Sequence, residues 1–379
     1  MRIAHIANFY GPTSGGLRTA MHALGAGYKE RGHEMLLVVP GPDDTAEDTP
    51  FGRRVTIKSP IVPGTGGYRV ILRTGQVRRV LSEFAPDVLE VSDRTTLRGI
   101  GRWSRKRGIP SAFFAHERAD GILQANLPRA LARALPLTSI ADWHNRGTSR
   151  RFTTVVCTTD YARAEFERAG LPAVKIPLGV DLERFTPANY SAEVRARFAG
   201  DDEALVFMAS RLSTEKRPEL AIDAIGVLAG RGRRVRLVSA GTGNIDAAMR
   251  ARAAGLPVTF LGFVTDRELF AQLLASADVV VAPGPIETFG LAALEALASG
   301  TPTVVNAASA LPEVVADAGV AAGGTPDSFA EGLLEVLGWD ETTRRVNARA
   351  RAETMPWSTT VTRLLTLHGE SIAAASARP

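Results

Sequence analysis

The sequence predicts an α/β protein made of two doubly wound, Rossmann-like parallel-sheet domains in tandem, facing each other across a cleft. Three observations carry this expectation. Apolar, strand-like runs alternate with helical patterns along the chain. The alternation pauses once, over Ile176–Gly200, and restarts at Leu205. The 379 residues leave room for two domains of ~100–200 residues each. The boundaries are placed at 1–180 and 181–355, with a terminal helix over 356–379.

The elements follow in order. Arg2–Asn8 reads as a buried strand, broken by Gly11–Gly16, and Leu17–Arg31 as the helix after it. Strands are expected at Met35–Val39, Asp87–Val91, Ser111–Ala115 and Val155–Thr158, with Asp43–Pro50 a polar, acidic loop. In the second half, strands are expected at Leu205–Ala209, Arg236–Ser239, Val258–Leu261, Val279–Ala282 and Thr303–Val305. Helices are expected at Pro218–Ala229, Arg267–Ala275, Leu291–Ala298 and Ser328–Leu337. Arg69, Arg73, Arg78 and Arg79 are assigned to one helix whose core stripe is Val77, Val80, Leu81 and Phe84.

Composition excludes several classes. Hydrophobic residues make up 45% and charged residues 22%, which is ordinary for a globular chain. No apolar run approaches the ~20 residues of a membrane span. Met1–Phe9 is too short for a secretory signal, so a cytoplasmic protein is expected. The lone Cys157 makes neither a disulfide nor a zinc site by itself. Residues 1–185 hold 27 Lys+Arg against 18 Asp+Glu, net +9, while residues 186–379 are net −4. A basic first half suits an anionic partner. Because Arg outnumbers Lys 40 to 5, a single Arg counts for little and Lys216 for more.

Five segments could carry chemistry. Gly11-Pro12-Thr13-Ser14-Gly15-Gly16 lies between the first strand and helix, where backbone amides of Gly15 and Gly16 can approach a phosphate. It matches neither common phosphate-loop pattern. Gly241-Thr242-Gly243-Asn244 begins like a dinucleotide fingerprint but has Asp246 in place of the third glycine, so an NAD site is disfavoured. Arg211 and Lys216 flank Ser213-Thr214-Glu215 after a strand, and together they could embrace a diphosphate. Glu287-Thr288-Phe289-Gly290-Leu291 leads into a helix carrying Glu295, which suits two hydroxyl-binding carboxylates with helix-start amides between them. A glycosidase pair is the poorer reading, because it must straddle one bond at ~5–9.5 Å. His116 ends a strand, where a ring nitrogen can donate to a sugar or phosphate oxygen. No His/Asp/Glu spacing suggests a metal.

These motifs together resemble the retaining two-domain (GT-B) glycosyltransferases, the family that includes the phosphatidylinositol mannosyltransferases. Glu287 and Glu295 look like its E-x7-E donor signature, and Arg211 with Lys216 like its diphosphate clamp. Gly15 and Gly16 match its glycine loop. Leu178-Gly179-Val180-Asp181 with Phe185 is similar to its interdomain element, with Leu178 in place of Asn. Leu311-Pro312-Glu313 is similar to its later PE loop. Asn8–Pro12, Glu90–Leu97 and Cys157–Thr159 look like the subgroup that extends phosphatidylinositol mannosides.

The resemblance implies a donor site on the C-terminal domain and an acceptor site on the N-terminal one. Glu287 would contact the donor sugar, Glu295 the ribose, and Gly262, Phe263 and Val264 the base, while His116 would lie near sugar and β-phosphate. Thr288, Phe289, Gly290 and Leu291 complete the donor set. Asp93, Arg94 and Arg118 are the acceptor candidates. The co-substrate would be a nucleotide sugar, GDP-mannose ahead of a UDP-sugar, with no metal or other cofactor. The acceptor would be an anionic glycolipid met at the inner face of the cell membrane, and no nucleic acid is expected. The helix from Trp357 would cross back to the N-terminal domain. Rival readings are a nucleotide-sugar epimerase and a non-enzymatic anionic-surface binder.

Overall fold

The structure is a computed structural model that describes residues 1–11, 15–63, 67–128, 131 and 134–377. The chain divides into two compact units: Met1–Gly179 together with Trp357–Pro379, and Val180–Pro356.

The first unit contains β1 (Arg2–Ala7), β2 (Glu34–Gly41), β3 (Thr45–Thr49), β4 (Gly52–Lys58), β5 (Val88–Ser92), β6 (Ser111–Ala115), β7 (Thr154–Cys157) and β8 (Val174–Lys175). They form one sheet in the order β3-β4-β2-β1-β5-β6-β7-β8. Only β3 runs antiparallel to its neighbour. The expected acidic loop at Asp43–Pro50 is therefore corrected to an edge strand. Its acidic residues oppose arginines across the hairpin, Glu47 against Arg54 and Asp48 against Arg53. Cross-strand pairs of opposite charge stabilise such a polar edge without an apolar face.

Strand alternation sorts the interior into two layers. Ala4, Ile6, Leu89, Val91, Phe113 and Ala115 face one way, onto Val77 and Leu81 of helix α2 (Thr74–Phe84). Ile3, Ala7, Val88, Ala112 and Phe114 face the other, onto Met21, Leu24 and Tyr28 of α1 (Gly16–Glu30). The C-terminal helix, Trp357–Ser376, adds Val361 and Leu364 to that second layer. A further correction concerns the arginines. Arg69 and Arg73 precede α2, where Arg69 binds the carbonyl of Ser59 and Arg73 pairs with Asp44.

The second unit contains β9 (Ala204–Ala209), β10 (Val235–Ala240), β11 (Val258–Gly262), β12 (Val279–Ala282), β13 (Thr303–Asn306) and β14 (Gly319–Ala322). Their order is β11-β10-β9-β12-β13-β14, parallel throughout, and the connecting helices include α3 (Pro218–Gly230), α4 (Arg267–Ser276) and α5 (Leu291–Ala298). Among the parallel strands of each unit the order reverses once, beside β1 and β5 in the first and beside β9 and β12 in the second. Ligands of open α/β sheets bind at the carboxyl ends of strands at such points.

Candidate active site

In the second unit, the loops after β9 and β12 meet. Lys216 Nζ forms an ion pair with Glu287 Oε1, both side chains partly exposed. Arg211 pairs with Glu215 at 2.7 Å and remains more exposed. The Glu287 loop is held in shape from β13: Asn306 donates to the carbonyl of Pro283 at 2.8 Å, and the Ala310 amide to the carbonyl of Glu287 at 2.9 Å.

Gly290 then turns the chain into α5 (Leu291–Ala298) with φ +78. A Cβ at Gly290 would lie 2.2 Å from Leu311 Cδ2, so the turn needs glycine for both its backbone and its neighbour. No side chain caps this helix, so its first amides and the positive end of its dipole are available to an anion. Thr288, Phe289 and Leu291 are buried and wedge the turn in place.

Glu295 sits inside the helix, buried, with Arg267 of α4 (Arg267–Ser276) 3.5 Å away. Burial pushes its carboxyl up to about 7, against the opposing charge of Arg267. Arg267 is itself stacked over Phe185 and Phe270. Gly262 ends β11 with φ +71, followed by exposed Phe263 and half-buried Val264. The Gly241–Asn244 turn has a packing role. A Cβ at Gly241 would lie 1.9 Å from the Ser210 carbonyl, and Leu212 and Thr242 are bonded backbone to backbone at 3.0 Å. These glycines let the turn support the Arg211 loop.

In the first unit, Gly15 and Gly16 open α1, with Gly15 in the N-cap position and no side-chain cap. Pro12, Thr13 and Ser14 lie outside the described residues. His116 follows β6, and its Nε2 lies 2.7 Å from Ser92 Oγ. Burial, then the charges of His5 and Arg94, lower its pKa to about 3, so the ring is neutral.

The three acceptor candidates are engaged in the fold of this unit. Asp93 is buried and accepts bonds from the Thr95 and Leu97 amides at 3.0 and 2.8 Å, which closes the turn after β5. Arg94 pairs with buried Glu165 at 3.4 Å and lies over Phe113. Arg118 grips Asp120 through two nitrogens at 2.9 and 2.7 Å. Each braces a loop at the carboxyl ends of β5 and β6.

Behind His116 lies a set that motif reading missed: His5, Glu90 and His368, all buried. The available signal was a glutamate in the middle of the apolar strand Val88–Ser92. Such a buried carboxylate requires partners. Among the described residues no group of three or more His, Cys, Asp or Glu could hold a metal ion, and no helix is long and apolar enough to cross a membrane.

Two family models match the chain. Residues 15–179 match the glycosyl transferase 4-like domain, and residues 191–353 match the glycosyl transferases group 1 domain. A GDP-mannose-dependent alpha-(1-6)-phosphatidylinositol dimannoside mannosyltransferase of Mycobacterium tuberculosis is 45% identical over 97% of this chain and 96% of its own length. A GDP-mannose-dependent alpha-mannosyltransferase of the same species is 30% identical over 80% of this chain and 78% of its own. Sucrose-phosphate synthase from Thermosynechococcus elongatus superposes with a TM-score of 0.79 at 20% identity, covering 98% of this chain and 99% of that one. This likeness shows the fold, two α/β parallel-sheet domains of the GT-B type.

Proposed function

The chain belongs to the group 1 glycosyl transferases, and we propose that it moves mannose, with retention, from GDP-mannose to a phosphatidylinositol dimannoside. The observation that carries this reading is the Lys216–Glu287 pair beside the uncapped start of α5, with buried Glu295 further along the same helix. A cation from one loop, set beside helix-start amides and two carboxylates of another segment, suits a sugar diphosphate and its ribose. The names of the two mannosyltransferase relatives support the donor and the acceptor.

In this reading Lys216 and Arg211 hold the diphosphate. Glu287 accepts hydroxyls of the sugar, Glu295 accepts those of the ribose, and backbone at Gly262–Val264 meets the base. The bond between the sugar's anomeric carbon and the phosphate oxygen breaks. A new bond forms on the same face to the acceptor oxygen, and the acceptor's proton passes to the departing phosphate. Preorganised cations and amides stabilise the growing charge without reorganising, so no metal is assigned. His116 donates to a sugar or phosphate oxygen.

The lipid acceptor implies peripheral contact with the inner face of the membrane. Exposed Arg78 and Arg79 on α2 and the exposed apolar side chains Leu131, Leu135, Ile140 and Trp143 support that contact.

The test is transfer from labelled GDP-mannose to phosphatidylinositol dimannoside in mixed vesicles, beside a thermal-shift panel of GDP, UDP, ADP and their sugars. The expected outcome is a product one mannose longer and a shift of several degrees with GDP ligands alone. Transfer from a UDP-sugar only, or a shift with no nucleotide, would overturn the donor assignment.

A further inference from the structure

We propose that Glu90, His5 and Ser92 form a buried relay that orients His116 and holds its ring in a single tautomer. These are positioning residues, and the proposal rests on the functional reading in one respect, that His116 meets the reacting sugar or its phosphate.

The relay is a product of register. β1 and β5 run parallel with His5 opposite Glu90 and Ala7 opposite Ser92. β5 and β6 run parallel with Glu90 opposite Ala112 and Val91 opposite Phe113. Alternation therefore turns His5, Glu90, Ser92 and His116 toward the same layer, the one covered by α1 and the C-terminal helix. They sit among the apolar side chains of that layer. Phe114 stacks between the rings, 5.4 Å from His5 and 5.9 Å from His116, and fixes their planes.

The contacts then run in one line. Tyr28 donates to Glu90 Oε1 at 2.7 Å, and His368 Nε2 lies 2.8 Å from the same oxygen. His5 Nδ1 lies 2.8 Å from Glu90 Oε2, an ionic contact off the hydrogen-bond axis. His5 Nε2 is 2.7 Å from Ser92 Oγ, which is 2.7 Å from His116 Nε2.

Donor and acceptor capacities give the line a direction. Burial alone would push the Glu90 carboxyl up. The charge of His5 and the bond from His368 outweigh it and hold the group well below the ordinary carboxylate range. Glu90 is therefore ionised and only accepts. His5 is the ring whose far nitrogen leads onward. The hydroxyl of Ser92 has one proton to give and lone pairs to accept with, so the direction in which it meets His5 Nε2 fixes the direction in which it meets His116 Nε2. A neutral His116 is thereby held in one tautomer. A hydroxyl is required at this step because it accepts and donates at once.

The chain carries six histidines, few enough to resolve by ring-nitrogen NMR with a His116→Gln variant for assignment. Protein with 15N-labelled histidine rings at pH 7 should show neutral His116 in a single tautomer. Ser92→Ala should mix the two tautomers and lower kcat about tenfold, the worth of one well-placed hydrogen bond, with KM for GDP-mannose unchanged. Ser92→Thr, which keeps the hydroxyl, should restore both. A mixture of tautomers in wild-type His116, or an unchanged tautomer in Ser92→Ala, would overturn the relay whatever the activity. Transfer by the His116→Gln variant separates the two failures: wild-type kcat there removes His116 from the reaction, while the ring spectra still decide the relay.

Discussion

The two units carry polar groups in opposite ways. In the first, His5, Glu90, Ser92 and His368 lie within the packed layer, each with partners supplied by the fold. In the second, Lys216, Glu287 and Arg211 stand on loops after strand ends, partly exposed, with Lys216 paired to Glu287 and Arg211 to Glu215. A buried network is coupled to folding, because breaking it strands a charge. A loop-borne pair is coupled to ligand, because water can replace either partner. The difference separates residues that shape a site from residues that meet a substrate.

The largest effect that could break this comparison is on stability. Glu90→Ala leaves two imidazoles facing a vacated charge, and should cost the first unit about 3–5 kcal/mol, read as a lower urea midpoint. A midpoint that does not move would make the network dispensable to the fold. Lys216→Ala should do the reverse. Its unfolding midpoint should stay near wild type while kcat falls on the order of 10²–10³, the usual loss for one charge-stabilising donor. Full turnover would remove Lys216 from the diphosphate.

Glu295 sharpens the contrast, since it is a buried acid within the ligand-facing unit. Its carboxyl is raised to about 7, whereas the unfolded value lies near 4.5. The folded state therefore keeps its proton longer, and stability at this residue declines as pH rises from the unfolded value through about 7. Ribose hydroxyls favour the ionised form. GDP affinity should accordingly rise with pH, by about tenfold per unit below the raised value, and level off above it. Titration calorimetry across that range reads the slope. Glu295→Gln should flatten it, and an equal slope in that variant would take Glu295 out of the ribose site.

The smallest effect concerns the exposed face of the first unit. Reversing the charges of Arg78 and Arg79 should weaken binding to anionic vesicles, at ~1 kcal/mol per arginine, and leave GDP affinity alone. Unchanged vesicle binding in a sedimentation assay would return both residues to a solvated helix face.

The sequence determined the alternation of strands and helices, because period-two and period-3.6 apolar patterns are local. It also displayed the Lys216 and Glu287–Glu295 segments, because a site built at a strand end is written as one short run of residues. It misassigned Thr45–Thr49, since an edge hairpin stabilised by charge pairs has no apolar face to announce it. It placed Arg69 and Arg73 on a helix that begins only at Thr74, because the ring of partners that holds them is remote in the chain. The setting of His116 was decided by tertiary structure alone. Register between β1, β5 and β6 brings residues 5, 90, 92 and 116 into one layer, and the C-terminal helix returns to add His368, 278 positions from Glu90. A hydrogen-bonded line across strands has no period and no spacing in the chain. It exists only when the sheet has paired.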